Sequence, residues 1–250
     1  MNIGKTKERF EEDGFVIVQD FFGPSEVDEI EARLESYIRK NVPTLSADRI
    51  FRETNGAIKS MSRMNEEDEF FAAFKVNPKI LDLVAGIFAT ALEEIVPENL
   101  QFFGKPAFEG SITPWHQDNG FQHYEPPESL MLWLALADVD EEMGCVCFAK
   151  GSHRLRVVKH IASGVLGFSQ TVETPPDLQL FPEVKAVMRR GAISLHHCNT
   201  FHRSGANRAS RSRPALAVNY RTKRAVANEE KRARVRAEVA KLIEDQENMS

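Results

Sequence analysis

The chain is poor in cysteine, tryptophan and tyrosine, with three, two and three of them in 250 residues. Cys145, Cys147 and Cys198 are an odd number without a zinc-type spacing. They form no evident disulfide framework and read as reduced thiols of a cytoplasmic protein. No apolar run approaches the length of a membrane-spanning helix. The opening "MNIGKTKERFEEDG" carries acids and no apolar stretch, so it does not read as a secretory signal. Positive charge is not in excess either. The formal net charge of −5 gives no footprint for a nucleic-acid surface. Repeats and low-complexity linkers are missing too. What is present is ordinary for a globular protein: 42% hydrophobic and 28% charged residues, in a chain long enough for one large domain with a substantial core.

The spacing predicts a change of character along the chain. "KTKERFEEDGF" reads as a helix stopped at Gly14, followed by an apolar strand "FVIVQDF". "GPSEVDEIEARLESYIRK" has Pro24 and Ser25 at its start, acids in its first turns and Arg39-Lys40 at its end, the charge order a helix dipole favours. "NEEDEFFAAFKVNPKILDLVAGIFATALEEIV" holds two more helical stretches divided near Asn77-Pro78. Residues 1–98 are therefore expected to be mainly helical. From residue 99, "NLQFFGKPAF", "LMLWLALADV", "CVCFAKG", "AISLHHC" and "PALAVNY" are short strand-like runs separated by turn residues. Their spacing over 99–224 suggests an antiparallel sandwich or barrel. Residues 225–250 return to helical composition, and the basic cluster Lys231–Arg236 is interleaved with Glu229, Glu230 and Glu238 as on a solvated helix face.

The chemistry centres on "TPWHQDNG". His116 and Asp118 are two apart, and on a strand they would project from the same face. A third ligand is sought in "GAISLHHCNTFHRSGANRASRSRPALAVNY", which offers His196, His197 and His202, followed by Ser204, Arg211 and Arg213. Two histidines and one carboxylate on one face of an octahedron suit non-haem Fe(II) and leave positions open for a co-substrate and O₂. Of the adjacent pair, at most one can face a pocket; His197 is read as a neighbour of the site and His196 as structural. His123 and His153 read as loop histidines. Arg49, Arg52, Lys59 and Arg63 lie in a loop-like stretch and read as surface charge that could bind an anionic substrate group.

The sequence resembles the phytanoyl-CoA dioxygenase family of Fe(II)/2-oxoglutarate oxygenases. The likeness is carried by "EEDGFVIVQDFFGPSEVDEIEARL", "GKPAFEGSITPWHQDNG", "LWLALADVDEEMGCVCFAKGSHR" and the His202 stretch, in the family's order. The third of these resembles a pattern close to W-x-A-L-D, N-G and P-G-S-H. Met143 stands where the family often has Asn, Ala149-Lys150 replace part of the last element, and Ala192 follows Gly191 where Asp is common. None of these is a ligand position.

The resemblance implies a mainly β fold with flanking helices: a double-stranded β-helix, or cupin-like jelly roll, buttressed by N-terminal helices, in a single domain over 1–250. It implies His116, Asp118 and His202 as iron ligands and Arg213 as the partner of the 2-oxoglutarate C5 carboxylate. Ser204 would add a hydroxyl to the same carboxylate, with Trp133, Lys105 and Gln101 lining the co-substrate pocket. The implied cofactors are Fe(II), 2-oxoglutarate and O₂. The implied reaction is hydroxylation of an unactivated C–H bond of a small-molecule metabolite, with release of succinate and CO₂. The expected partner is that substrate, with no nucleic acid and no membrane. The alternatives are a catalytically idle member that binds 2-oxoglutarate or a metabolite, and a metal-dependent, cupin-like isomerase or hydrolase.

Overall fold

The structure, a computed structural model, describes residues 2–165 and 168–235 with two further positions in the C-terminal segment. Ahead of residue 229 the α-helical segments are α1 (Ile3–Asp13), α2 (Pro24–Asn41), α3 (Met64–Glu67), α4 (Glu69–Phe74), α5 (Pro78–Phe88) and α6 (Asn119–Gln122). The first strands are β1 (Phe15–Val18), β2 (Ile50–Arg52), β3 (Ile58–Met61), β4 (Ile95–Lys105) and β5 (Thr113–His116). Then come β6 (Tyr124–Glu125), β7 (Ser129–Ala135), β8 (Val146–Ala149), β9 (His160–Val165) and β10 (Phe168–Val172). The last are β11 (Glu183–Lys185), β12 (Ile193–His197), β13 (His202–Ser204), β14 (Arg213–Thr222) and β15 (Val226–Ala227).

The helix ends follow the local chemistry. The Asn2 side chain accepts from Lys5 N, and Gly14 closes α1 in the left-handed region at φ 81°. Pro24 opens α2, Glu26 folds back onto the Gly23 amide, and Arg39 and Lys40 occupy the last turn.

Two antiparallel sheets form the core. The larger has the order β1-β12-β7-β14-β4-β3-β2, the smaller β11-β8-β13-β5. Strand parity divides the large sheet cleanly. Leu130, Leu132, Leu134, Ile193, Leu195, Leu216, Val218 and Tyr220 face outward into one apolar cluster with Val27, Ile30, Leu34 and Tyr37 of α2 and Ile80, Leu83 and Val84 of α5. Burying each such side chain contributes about 1.5–3 kcal/mol, so the helices are held as a backing layer by this face. On the opposite face stand Met131, Trp133 and Ala135 of β7 with Ala215 and Ala217 of β14. Alanines there leave open space between the sheets. The architecture is the expected jelly roll with N-terminal helical buttresses.

Two boundaries differ from the periodicity. β4 begins at Ile95, ahead of residue 99. The stretch read as loop before residue 64 contains a hairpin, β2–β3, that extends the large sheet beyond β4. Charged Arg52 and Lys59 obscure its alternation, but Asn55-Gly56 marks the turn, with Gly56 at φ 85°. A helical segment starts at residue 229; most of the C-terminal helix expected over 225–250 falls outside the described residues, including Arg236 and Glu238.

Candidate metal and co-substrate site

His116, Asp118 and His202 converge in the interior. β13 pairs with β5 so that His202 lies opposite His116. β5 ends at His116, and Asp118 sits at the start of α6 with φ −57° and ψ −35°. The expected common strand face is thus replaced by a strand end and a helical turn, which still aim the two groups together. The Nε2 atoms of His116 and His202 lie 3.7 and 3.6 Å from Asp118 Oδ1. One donor atom from each residue falls within 4.8 Å of the others.

The ring orientations are set by backbone carbonyls. His116 Nδ1 is 2.9 Å from Pro114 O, and His202 Nδ1 is 3.0 Å from Thr200 O. A carbonyl only accepts, so each Nδ1–H donates and each Nε2 turns its lone pair toward Asp118. Burial holds both rings neutral, pushing His116 down to about 4 and His202 well below its usual value. Burial alone would raise the Asp118 pKa; the hydrogen bond from His196 opposes this, and the group is held below the usual carboxylate range. Three Lewis bases so placed form a donor set that could hold a metal ion.

Gln117, fully buried between the two ligands, locks the loop. Its Nε2 donates to Asn199 O at 2.8 Å, and its Oε1 accepts from Val158 N at 2.9 Å. Its backbone N–H donates to His160 Nε2 at 3.2 Å. The ligand loop is therefore tied both to the β12–β13 connection and to the segment entering β9.

A cavity of about 380 Å³ opens beside the three ligands, lined also by Thr113, Trp133, Ser204, Gln101 and Arg213. A larger cleft of about 780 Å³ lies on the other side of α6 and contains none of the three ligands. Arg213 is 3% exposed, with its guanidinium 5.0 Å from the Trp133 ring centroid and Nη1 donating to Gly144 O at 3.2 Å. Its Nε has no partner among the described residues, and burial lowers its pKa to about 10. Arg211, by contrast, is exposed and pairs with Asp140. Lys105 pairs with Arg213 in register but is not among the lining residues. Its ammonium donates to Ser111 O and Gly205 O, and burial, then Arg213, pushes its pKa down to about 6.

The adjacent histidines are placed opposite to expectation. His196 lines the cavity, its Nε2 3.2 Å from Asp118 Oδ2. His197 turns to the helical side, near Phe10 and His153. The physical reason is the register of β12: Ile193 and Leu195 fill the outer core, so Ser194 and His196 must face inward. Arg49 and Lys59 line the cavity, whereas Arg52 donates to Gly56 O and Arg63 pairs with Asp48. His123 lines the larger cleft, and His153 sits against Glu11 O. The sequence reading missed Asn219, Phe121 and Phe168, all cavity residues. Asn219 was detectable: it shares strand parity with Arg213, Ala215 and Ala217.

The chain is similar to known proteins. The family model for phytanoyl-CoA dioxygenase (PhyH) matches residues 10–215. A phytanoyl-CoA dioxygenase of Arabidopsis thaliana is 28% identical over 62% of this chain and 53% of its own length. A phytanoyl-CoA dioxygenase domain-containing protein 1 of Bos taurus is 37% identical over 48% of this chain and 43% of its own length. These matches span about half the length of those relatives. Among solved structures, the epimerase SnoN in complex with Fe³⁺, alpha ketoglutarate and nogalamycin RO superposes with a TM-score of 0.73 at 21% identity, over 90% of this chain and 85% of SnoN. EctD from S. alaskensis with 2-oxoglutarate and 5-hydroxyectoine gives 0.72 at 20%, over 87% and 75%. The carbocyclase SnoK gives 0.73 at 20%, over 89% and 85%. These structural likenesses are of fold.

Proposed function

The chain belongs to the phytanoyl-CoA dioxygenase family, and from that premise we propose that it is an Fe(II)- and 2-oxoglutarate-dependent oxygenase that hydroxylates a C–H bond of a small-molecule metabolite. One observation carries the reading: three converging neutral or anionic ligands and an acid-free buried arginine share one cavity. The donor set fits iron(II), with two imidazole nitrogens and one carboxylate oxygen leaving a face open. Bound there with 2-oxoglutarate and O₂, iron(II) supplies an oxidant strong enough for an unactivated C–H bond.

The chain's own residues bind, orient and exclude water. His116, Asp118 and His202 hold the metal, and their carbonyl-fixed tautomers need no rearrangement to do so. Arg213 takes the distal carboxylate of 2-oxoglutarate through its planar fork, with Ser204 adding a hydroxyl. Trp133 fixes the guanidinium plane by stacking. Lys105, outside the lining, supports this end of the cavity by tying Ser111 to Gly205. Phe121 and Phe168 wall the metal side with apolar surface and keep bulk water from the reacting centre. Free Cys145, Cys147 and Cys198 suit a reducing, cytoplasmic setting.

The test is succinate release from 2-oxoglutarate with Fe(II) and ascorbate across a metabolite panel, with product analysed after turnover under ¹⁸O₂. The expected product carries one ¹⁸O. Succinate formation with an inverted stereocentre or a new ring, and no ¹⁸O, would replace hydroxylation by another oxidation. Conversion that proceeds without O₂ or 2-oxoglutarate would move the protein to a metal-dependent isomerase.

A further inference from the structure

The larger cleft, of about 780 Å³, shares no lining residue with the metal cavity, and its charge runs against that of the chain. The protein carries a formal net charge of −5, yet Arg156, Lys159, Lys231 and Arg234 line this cleft against a single acid, Glu125. These cations come from two segments far apart in sequence, the stretch entering β9 and the helical segment that starts at residue 229. Lys159 and Arg234 keep exposed glutamates, Glu173 at 2.6 Å and Glu230 at 3.7 Å. Arg156 and Lys231 pair with no acid among the described residues.

Both segments are anchored. Gln117 Nε2 donates to Arg156 O at 3.4 Å, and Val158 N donates to Gln117 Oε1 at 2.9 Å. In the helical segment, Asn228 Oδ1 accepts from Lys231 N at 3.0 Å. Arg232 Nε donates to Gln122 O at 2.6 Å, and its guanidinium lies 4.6 Å from the Tyr124 ring centroid. The cations are thus gathered beside one cleft at a cost in mutual repulsion, which an anion among them would relieve. Gln170 is an independent, uncharged signal. It is 6% exposed, lines the cleft, and its carboxamide makes no hydrogen bond among the described residues. Its Oε1 is enclosed, which leaves the NH₂ end, a donor suited to an anionic oxygen, to the cleft.

We propose that this cleft binds a phosphate monoester, with the phosphate between Arg156 and Lys231 and the organic part over Pro127, Val157 and Val158. Two unpaired cations match a dianion, and a phosphate has an acceptor oxygen more than a carboxylate for the Gln170 amide. A cleft of this volume takes a whole small molecule rather than a bare ion. The phosphate touches none of the metal ligands, which line the other cavity.

The test is isothermal titration calorimetry on the full chain freed of metal, so that no iron can hold the phosphate. The probes are phenyl phosphate, benzenesulfonate as its singly charged counterpart, and inorganic phosphate, at about pH 8, where the ester is a dianion. Phenyl phosphate should bind at least about tenfold more tightly than either of the others. Arg156→Gln combined with Lys231→Gln should weaken it about tenfold, as the loss of two open charge contacts gives, whereas Arg213→Met should leave it unchanged. Arg156 and Lys231 are exposed, so the fold survives their exchange. Equal binding of phenyl phosphate and benzenesulfonate, or wild-type affinity in the double variant, overturns the proposal. So does the absence of any binding of phenyl phosphate at millimolar concentration. Inorganic phosphate held as tightly as the ester reduces the cleft to an ion site and overturns the assignment of a monoester. Binding lost in Arg213→Met but kept in the double variant places the phosphate in the metal cavity and overturns it too.

Discussion

Replacing Arg213 by methionine should stabilise the ligand-free protein and abolish its response to 2-oxoglutarate. Arg213 is 3% exposed, has no acidic partner among the described residues, and burial pulls its pKa down to about 10. A folded-state pKa below the unfolded value means the unfolded chain holds the proton more readily. Stability therefore rises with pH only above about pH 10, and below it the full penalty is present. At about 1.4 kcal/mol per unit, that penalty is about 3 kcal/mol. Methionine fills similar space against Trp133 but forfeits the hydrogen bond to Gly144 O, about 1 kcal/mol, and the cation–π contact, about 0.5–1 kcal/mol. The net gain is about 1–2 kcal/mol, or a rise in Tm of about 2–8 °C for a chain of this size. In the wild type, metal-loaded protein with 2-oxoglutarate at a hundred times its Kd should gain about 2.7 kcal/mol from binding. In the variant the lost carboxylate pair costs about 3–5 kcal/mol of affinity, two to three orders of magnitude or more, and that gain vanishes. Thermal unfolding of both proteins, with and without 2-oxoglutarate, reads all four states. A variant that melts several degrees lower without ligand, or still responds to 2-oxoglutarate, refutes the idea that this cation is held in reserve for a carboxylate.

His202→Ala should abolish Fe(II) binding by equilibrium dialysis, whereas His196→Ala should weaken it about 10–100-fold by freeing the outer oxygen of Asp118; the reverse order would make His196 the ligand. In metal-free protein, His197 is driven down to about 4 by burial, with His153 and His196 adding to it. The unfolded chain takes up that proton first, so stability is full above about pH 6.5 and falls toward pH 4. His197→Gln should flatten this window by about 2–3 kcal/mol in urea titrations; identical pH profiles would contradict it. Gly144 sits at φ +70°, and an added Cβ would meet Gly205 O at 2.3 Å. Gly144→Ala should lower Tm by at least about 5 °C, since the left-handed strain alone costs about 1–2 kcal/mol before the clash, and an unshifted melt would show that this turn can relax.

The convergence of the candidate ligands was legible because their chemistry is local. A histidine two before an aspartate, a distant histidine and an arginine eleven beyond it are patterns of residue type and spacing. The fold was legible from the switch of periodicity near residue 99. The β2–β3 hairpin was not, since its apolar positions are interrupted by Arg52 and Lys59 and its pairing with β4 supplies the missing stabilisation. Nor could the sequence say which of His196 and His197 faces inward. Parity fixes only that the two differ; the choice comes from which neighbours, Ile193 and Leu195, the helices bury. His116 and Asp118 carry the complementary lesson. Their convergence survives although the strand argument for it does not, because the turn into α6 brings the carboxylate round.

The position of β14 has a consequence for how the protein comes into being. This strand, one of the last in the chain, lies in the middle of the large sheet between β7 and β4. During synthesis β4 and β7 emerge with a strand-wide gap between them, and the inner wall behind His116 and Asp118 stays open. The arginine and the amide of the cavity floor arrive with the same segment, residues 213–222. Synthesis therefore delivers His116 and Asp118 well before the segment that walls the cavity. The wall of the cavity is complete only once this late strand takes its place in the sheet.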